Sequence, residues 1–397
     1  MSFQPAFCPC QKPECDPAQG FQYQRRGTYR RICDGRTVQR FQCKVCKRTF
    51  STQTFRVDRG LRRPSIDYLI FLGLVSKVSQ RQLTRKYHCG RGAVARRMER
   101  FGVHCRAFHD RALSKRAGSL PWEGRFLLDE LETFETDRRL KPVTVPLLAH
   151  LPSRCILHAA VGTLPARKPL APRKQRQLEA IEALENKKRG SESREKVSEC
   201  FTVLSEITTA ERQVRVGTDK KSTYRTILRK TFGERLVHER THSKEPRTIK
   251  NPLFLVNHTF AMLRDGLGRL VRRNWGATKE RKKLEWHLWL YIGWRNYVRP
   301  ITNKRPHETA GMAAGLIPRM LEPCELLQWR IFQSPHAQGA GPESTSGAGS
   351  PASPAAPLPR PPASAGRTGS PAPRRTRARA GTAAGSRSPR PRRRSSA

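Results

Sequence analysis

Acidic residues are scarce in this sequence. Of its 397 residues, 32 are Asp or Glu and 78 are Lys or Arg, which gives a formal net charge of +46. A shortage of negative charge on this scale argues against acidic-protein binders and enzymes for neutral small molecules, and favours a polyanionic partner such as DNA or RNA. Residues 334–397 contain 11 Arg and a single acid, Glu343, so the first 333 residues still carry +36. The folded part is therefore expected to be basic in its own right.

Long apolar segments and a secretion signal are missing as well. No apolar run approaches the about 18 residues of a membrane-spanning helix. The N terminus lacks the charged, apolar and small-residue sections of a signal peptide. The 11 cysteines are odd in number and form no extracellular framework. We therefore expect no membrane partner and a location in the cytoplasm or nucleoid.

Composition divides the chain into five regions. Cysteines concentrate in residues 1–57, helix-like apolar spacing covers 58–118, and strand-like and helix-like segments alternate over 119–299. A mixed C-terminal coda follows at 300–333. Residues 334–397 contain no aromatic residue, Val, Ile or Met. Because such a segment cannot offset its ordering entropy by burial, we expect a disordered basic tail.

Five cysteines near the N terminus have the spacing of metal ligands. The first half reads Cys8-Pro-Cys10-Gln-Lys-Pro-Glu-Cys15 and the second reads Cys43-Lys-Val-Cys46. Two short cysteine loops separated by about 27 residues are typical of a zinc ribbon, in which two knuckles bind one tetrahedral Zn²⁺. We predict Cys8, Cys15, Cys43 and Cys46 as ligands. Cys10 remains an alternative, because three cysteines compete for two places in the first knuckle.

The next region predicts a helix-turn-helix. A helix that begins near Ser79 is followed by the turn Gly90-Arg-Gly and a second helix over Ala93–Phe101. Arginines on the second helix are positioned to contact phosphates or guanine edges. The alternative is an ordinary helical hairpin with a solvated basic face. The predicted DNA contacts on this helix are Arg91, Arg96, Arg97 and Arg100.

Two strand-like runs contain aspartates that are candidate metal ligands. Arg125–Phe134 contains Asp129, and Gln213–Asp219 ends in Asp219. With two strands within 143–163, and helices and a strand between 191 and 271, the predicted order is strand, strand, strand, helix, strand, helix, strand, helix. This is the order of a ribonuclease-H-like α/β domain, in which carboxylates at adjacent strand ends hold two divalent ions. A single Asp at a strand end is more often a turn or cap residue, but two at the expected places favour a site.

The series of motifs resembles a bacterial insertion-sequence transposase of the insertion-sequence-one family over roughly residues 8–299. That family has its first catalytic Asp in an Asp-Glu strand end and its second in Thr-Asp-x-x-x-x-Tyr, which match Asp129-Glu130 and Thr218–Tyr224. The resemblance implies binding of double-stranded DNA at the element's ends and target, and strand cleavage and transfer with Mg²⁺ at Asp129 and Asp219. We also expect a homodimer or higher oligomer on DNA, in the bacterial nucleoid.

The third acidic position of that family departs here from its pattern. The family has a Glu shortly before the Leu-Arg of the last helix, and counting back from 263–264 leads to Asn257, 38 residues after Asp219. Asn can ligate a metal through its carbonyl oxygen, although more weakly than a carboxylate. Asp265 and Glu245 are the alternative third ligands. The same segment carries three further predicted DNA contacts: Arg264, Arg272 and Arg273.

Two other functions compete with the transposase hypothesis. Asn257 favours a sequence-specific DNA-binding regulator whose transposase-like domain is inactive. An RNA-binding accessory protein is the third reading, because basic charge alone does not separate RNA from DNA.

Overall fold

The cysteine region is built on a small antiparallel sheet. The computed structural model describes residues 4–5, 7–10, 12–15, 21–117, 122–271 and 276–330. The sheet has the order β1-β2-β3, and Gly27, with a φ of +66°, lies where the register of β1 and β2 shifts. Phenylalanine side chains from the strands and from both flanks form its core. The strands are β1 (Tyr23–Arg30), β2 (Thr37–Cys43) and β3 (Thr49–Ser51).

Three helices follow: α1 (Asp67–Val75), α2 (Gln80–Tyr87) and α3 (Arg91–Arg116). Ser79 caps α2 by accepting a hydrogen bond from the backbone N–H of Gln82, and His88 ends it in the left-handed conformation, at a φ of +46°. The helix-turn-helix segment is thus helical on both sides of a short turn. Its second helix is 26 residues long, which is well beyond the predicted end at Phe101.

A mixed sheet lies at the centre of the remaining chain. Its order is β6-β5-β4-β8-β9, with β7 paired to β5. β4 runs antiparallel to β5 and parallel to β8, and β9 runs parallel to β8. All nine residues of β5 are buried. The strands are β4 (Arg125–Phe134), β5 (Pro142–His150), β6 (Ile156–Ala159), β7 (Gly162–Thr163), β8 (Val214–Asp219) and β9 (Leu236–Thr241).

Helices cover both faces of this sheet. The main ones are α4 (Pro172–Glu185), α5 (Ser193–Ile207), α6 (Ser222–Phe232), α7 (Phe254–Gly266) and α8 (Arg281–Tyr297). Phe126 and Leu128 of β4 share a core with α5 and α6. Leu127 and Leu131 share the other core with α7, α8 and the helices α1–α3. Because successive strand residues point to opposite faces, odd-numbered β4 residues near Asp129 face α7 and even-numbered ones face α5 and α6.

The C-terminal coda adds four short elements: β10 (Pro300–Thr302), β11 (Arg305–Thr309), α9 (Ala310–Ala313) and α10 (Pro323–Gln328). Leu326 and Leu327 of α10 are buried against the core that includes α1. Within the described part of the chain, no helix is both long and apolar enough to cross a bilayer. The predicted disordered tail, 334–397, lies outside the described residues, as do Arg272 and Arg273.

Candidate metal centre and acidic cleft

Four of the five cysteines considered as metal ligands form one cluster. The Sγ atoms of Cys8, Cys10, Cys15 and Cys46 all lie within 4.8 Å of one another. The Sγ atoms of Cys8 and Cys46 are 3.6 Å apart. Cys43, a predicted ligand, places its Sγ 3.7 Å from that of Cys15, so all five thiols are close.

These sulfur separations fit a tetrahedral metal. Zn–S bonds of about 2.3 Å in a tetrahedron place sulfurs about 3.8 Å apart, close to the two pairs at 3.6 and 3.7 Å. The cluster is therefore compatible with a structural zinc ion. Cys10, expected only as an alternative, belongs to the compact group, and its Sγ accepts a hydrogen bond from the backbone N–H of Lys12.

The second cysteine loop is a tight turn that closes β2. The backbone N–H of Lys47 donates to the carbonyl of Cys43, and Lys47 has a φ of +60°. Burial opposes ionisation of Cys46, but the Arg48 N–H and neighbouring thiols donate to its sulfur and lower the pKa to about 6. Burial raises the pKa of Cys15 to about 12, and the adjacent Cys10 and Cys43 add to the rise. One sulfur of the cluster is therefore ready to ionise, and a bound cation would favour the thiolate form of the others.

Asp129 and Asp219 lie side by side on neighbouring strands. β4 and β8 are parallel, with Phe126 opposite Val216 and Leu127 opposite Gly217. This pairing ends there, so Asp129 and Asp219 each lie two residues beyond the last paired residues, on strands about 4.8 Å apart. Asp219 is the last residue of β8, as predicted. Asp129 is not at a strand end: β4 continues to Phe134 because its second half still pairs with β5.

The environment of Asp129 disfavours its charge. Burial raises the pKa of Asp129 to about 6, and the neighbouring Asp219 carboxylate adds to the rise, while the backbone N–H of Glu130 partly offsets it. That N–H donates to Asp129 Oδ1 at 2.8 Å. A cation bound beside the Asp129 and Asp219 carboxylates would lower the cost of charging Asp129.

Glu130, on the opposite face of β4, is held by four side chains. Thr144 and Ser193 donate to Oε1 at 3.0 and 2.6 Å, and Tyr224 donates to Oε2 at 2.8 Å. The Lys221 ammonium forms an ion pair with the same carboxylate. Burial would raise the pKa of Glu130, but these donors together lower it. Glu130 is therefore an ionised anchor between β4, β5, α5 and the turn into α6.

The same turn fixes the second aspartate. The backbone N–H of Lys221 donates to Asp219 Oδ1 at 2.9 Å. Because the Lys221 side chain is tied to Glu130, the β8–α6 turn is held at both its backbone and its side chain. The sequence pointed to Asp129 and Asp219 but gave no role to Lys221 or Ser193; the two-residue spacing of Lys221 from Asp219 was the one available signal.

A cleft of about 640 Å³ opens over the two aspartates. It is lined by Asp129 and Asp219, and also by Asn257 and Glu245. Asn257 lies on α7, half-buried, and its Nδ2 donates to the Leu253 carbonyl at 3.1 Å. Arg247, which no sequence motif indicated, lines this cleft and lowers the pKa of Asp129 through its charge. Asn257 and Glu245, two of the three candidates for the third metal ligand, therefore both line the cleft.

Asp265, the other alternative, does not line this cleft. Its carboxylate is exposed and lies 3.3 Å from the Lys77 ammonium, in a separate cavity lined by Tyr291 and Trp294. Asp265 is eight residues after Asn257 in the same helix and near its end, so the two side chains lie about 12 Å apart along the axis. This separation removes Asp265 from the candidate ligands.

The predicted DNA-contacting arginines of α3 divide into two groups. Arg91 and Arg96 are exposed. Arg97 is buried instead, and its Nε donates to Asp67 Oδ1 at 2.7 Å while Nη2 donates to the Arg63 carbonyl. Arg100 donates to the carbonyl of Arg59 and is half-buried. The expectation that Arg97 contacts DNA is therefore corrected, because its guanidinium is used to join α3 to α1.

Arg264, predicted on the last helix, lines the acidic cleft rather than a separate surface. No protein-family model matches the chain, and no curated protein shows significant sequence similarity to it.

Proposed function

We propose that this protein is a DNA transposase that cleaves and joins DNA strands at the acidic cleft. The observation that carries the proposal is that Asp129 and Asp219, each two residues beyond the last paired residues of two parallel strands, line one cleft with Asn257 and Glu245. Paired carboxylates of this kind are suited to phosphoryl transfer, where charge develops on the attacking and leaving oxygens.

The topology of the sheet supports a ribonuclease-H-like domain. Three antiparallel strands, β6, β5 and β4, are followed by the parallel strands β8 and β9, and helices cover both faces. The predicted element order has the same sequence of strands and helices, except for the additional β7 and α4. In this arrangement β4 and β8 bring their carboxylates together at the centre of the sheet.

Asp129 and Asp219 are the residues that would hold Mg²⁺, with Asn257 or Glu245 as a third oxygen ligand. The residues fit such an ion, since hard cations prefer carboxylate and amide oxygens, and burial together with the neighbouring Asp219 charge raises the pKa of Asp129. When bound, the ion supplies activation of an attacking oxygen and stabilisation of a leaving one. The chain's own contribution is to fix both carboxylates on strands and to hold the β8–α6 turn through Glu130.

The N-terminal elements would supply DNA recognition. A zinc ribbon on Cys8, Cys15, Cys46 and either Cys10 or Cys43, followed by the helix-turn-helix, places exposed basic residues ahead of the catalytic domain. Arg91 and Arg96 are the residues best placed to contact DNA from α3. We propose double-stranded DNA at the element's ends as the partner, bound by a homodimer or higher oligomer in the bacterial nucleoid.

Strand cleavage of the element's own ends tests the proposal. Wild-type protein should nick a labelled end duplex with Mg²⁺ and not with EDTA. Asp129→Asn and Asp219→Asn should abolish nicking and retain end binding, whereas Asp137→Asn, at a carboxylate that pairs with Lys174 and does not line the cleft, should nick normally. Binding without any nicking by the wild type would contradict the transposase proposal.

A DNA-binding regulator with an inactive cleft is the second candidate, and Asn257 in place of a carboxylate favours it. Restoring the carboxylate discriminates between the two. Under the transposase proposal, Asn257→Glu should preserve or raise nicking, and Asp265→Asn should leave it unchanged. Loss of nicking in Glu245→Gln would assign the third ligand to Glu245. No nicking by either wild type or Asn257→Glu would favour the regulator.

A further inference from the structure

A second cavity adjoins the acidic cleft at the N-terminal end of α7. Its volume is about 940 Å³, against about 640 Å³ for the cleft. Asn251, Phe254 and His258 line both cavities. The two cavities therefore adjoin at these three residues.

The second cavity has the opposite charge to the acidic cleft. Five basic residues line it, and none of the described residues in its wall is acidic. One of the five, Arg125, forms an ion pair with Glu239 and so contributes less net charge. The side chains of Arg154, Lys250 and Lys304 are exposed, and that of Arg299 is half-buried. Clustered cations without a carboxylate produce a positive potential that attracts phosphate groups.

The start of α7 adds to this potential. Pro252, Phe254 and Leu255, at the beginning of the helix, line the cavity. The first turn of α7 contains no acidic residue. N–H groups at a helix N terminus carry partial positive charge and bind phosphate oxygens. A phosphate in this cavity would therefore meet both the helix end and the flexible cations.

An aromatic pair lies where the cavity meets the cleft. The rings of Phe254 and His258 are stacked, with centroids 5.7 Å apart and planes inclined by 19°. Aromatic surfaces beside cations are the pattern that binds unpaired bases, since a base inside a duplex has no free face.

We propose that this cavity, the basic groove, binds the backbone of an unpaired DNA strand that leads out of the acidic cleft, with a base stacked on Phe254 and His258. The choice of DNA as the strand rests on the proposed function. The binding itself rests on the charge and shape of the groove. Arg154, Lys250 and Lys304 would contact successive phosphates.

Binding of forked DNA by the full-length protein tests the basic groove. The probe is a fluorescent duplex with one unpaired strand, compared with a blunt duplex of the same sequence. We expect Arg154→Ala/Lys250→Ala/Lys304→Ala to weaken fork binding about tenfold at low salt, because three phosphate contacts are lost. The slope of log affinity against log salt should fall by about 2, at about 0.7 per single-strand phosphate.

A matched triple variant controls for net charge. Arg173→Ala/Arg176→Ala/Lys187→Ala removes three exposed cations from α4 and its C-terminal side. This variant should bind the fork within about threefold of wild type, because its cations make no specific phosphate contact. Equal losses of fork affinity in the two triple variants would contradict the proposal that the basic groove binds DNA. Equal losses of the groove variant on fork and blunt duplex would overturn the unpaired-strand assignment.

The outcomes also separate the groove from the proposed function. Groove-dependent fork binding by a wild-type protein that never nicks DNA would support the groove and contradict the transposase. Nicking by the wild type, with fork binding unchanged in the groove variant, would support the transposase proposal and contradict the groove proposal. Tighter groove-dependent binding of an RNA fork of the same sequence would overturn the choice of DNA.

Discussion

At the scale of single residues, Asp129 carries the clearest pH dependence. Its pKa is raised from 3.8 to about 6, mainly by burial and then by Asp219. Because the folded pKa exceeds the unfolded one, protonated Asp129 favours the fold. This contribution is complete below about pH 4 and is lost as pH rises through about 6.

The direction of this pKa shift predicts how Asp129→Asn changes the stability of protein that holds zinc but no Mg²⁺. We expect the variant to be more stable than wild type at pH 7.5, by no more than about 2 kcal/mol, and the difference to shrink towards pH 4. Urea unfolding at both pH values measures it. A variant that is less stable than wild type at pH 7.5 would show that the Asp129 carboxylate has a partner that offsets its burial.

Glu130 has the opposite electrostatic role, since its charge is needed by its neighbours. We expect Glu130→Gln to lower the free energy of unfolding by about 2–4 kcal/mol at pH 7, because the Lys221 ammonium loses its partner and the hydrogen bonds to the carboxylate weaken. Chemical denaturation measures the change. Glu132→Gln is the control, as its exposed carboxylate only pairs with Arg167 and should contribute about 0.5 kcal/mol or less.

Helix α3 carries both a buried arginine with a structural role and exposed arginines that are available to DNA. We expect Arg97→Ala to lower the free energy of unfolding by about 3–5 kcal/mol, because it leaves Asp67 buried without its ionic partner. Arg96→Ala, on an exposed position one residue earlier, should change stability by about 0.5 kcal/mol or less and weaken end binding. Thermal unfolding and a binding titration distinguish the two. A stable Arg97→Ala variant that loses DNA affinity would return Arg97 to the DNA-contacting surface.

The small N-terminal sheet depends on its cysteines. With few strands and a core of phenylalanines, we expect it to need a bound metal for its fold. Cys15→Ser and Cys46→Ser should reduce bound zinc from about one ion per chain to a small fraction. Cys33→Ser, outside the cluster, should leave it unchanged. Separate Cys10→Ser and Cys43→Ser variants decide which of these two completes the site; full zinc in all four cluster variants would contradict the metal centre.

Elements with local signals could be predicted from the sequence, and those fixed by distant contacts could not. One of the helices predicted between residues 191 and 271 is present as α6, because its apolar spacing is regular. The helix α4 was missed, since Leu178 is its one buried side chain and carries too little periodicity. The burial of Arg97 was unpredictable because its partner lies 30 residues earlier in the chain.

The same distinction between local signals and distant contacts applies to the candidate site. Motif and spacing indicated Asp129, Asp219 and Asn257, and all three line one cleft. Their proximity depends on the register of β4 against β8, strands about 90 residues apart in sequence, which local patterns do not contain. The Glu130 network joins four elements, and the exclusion of Asp265 depends on the direction that its side chain takes from α7.

At the scale of the whole molecule, negative and positive charges are concentrated in different places. A chain with a net charge of +46 keeps several of its carboxylates at one cleft, beside a groove lined by cations. A basic surface attracts DNA, and a local acidic pair attracts divalent cations that the rest of the surface repels. The central claim is therefore that Asp129 and Asp219 together form a divalent-cation site.

Titration of the protein with Mn²⁺, followed by the loss of the free-ion electron paramagnetic resonance signal, tests that claim most directly. Wild-type protein with its zinc in place should bind Mn²⁺ at the cleft, and Mg²⁺ should displace it. Asp129→Asn and Asp219→Asn should each lose this binding, and Asp137→Asn, a carboxylate beside Lys174, should retain it. Equal Mn²⁺ binding by wild type and by the Asp129→Asn/Asp219→Asn double variant would contradict the site.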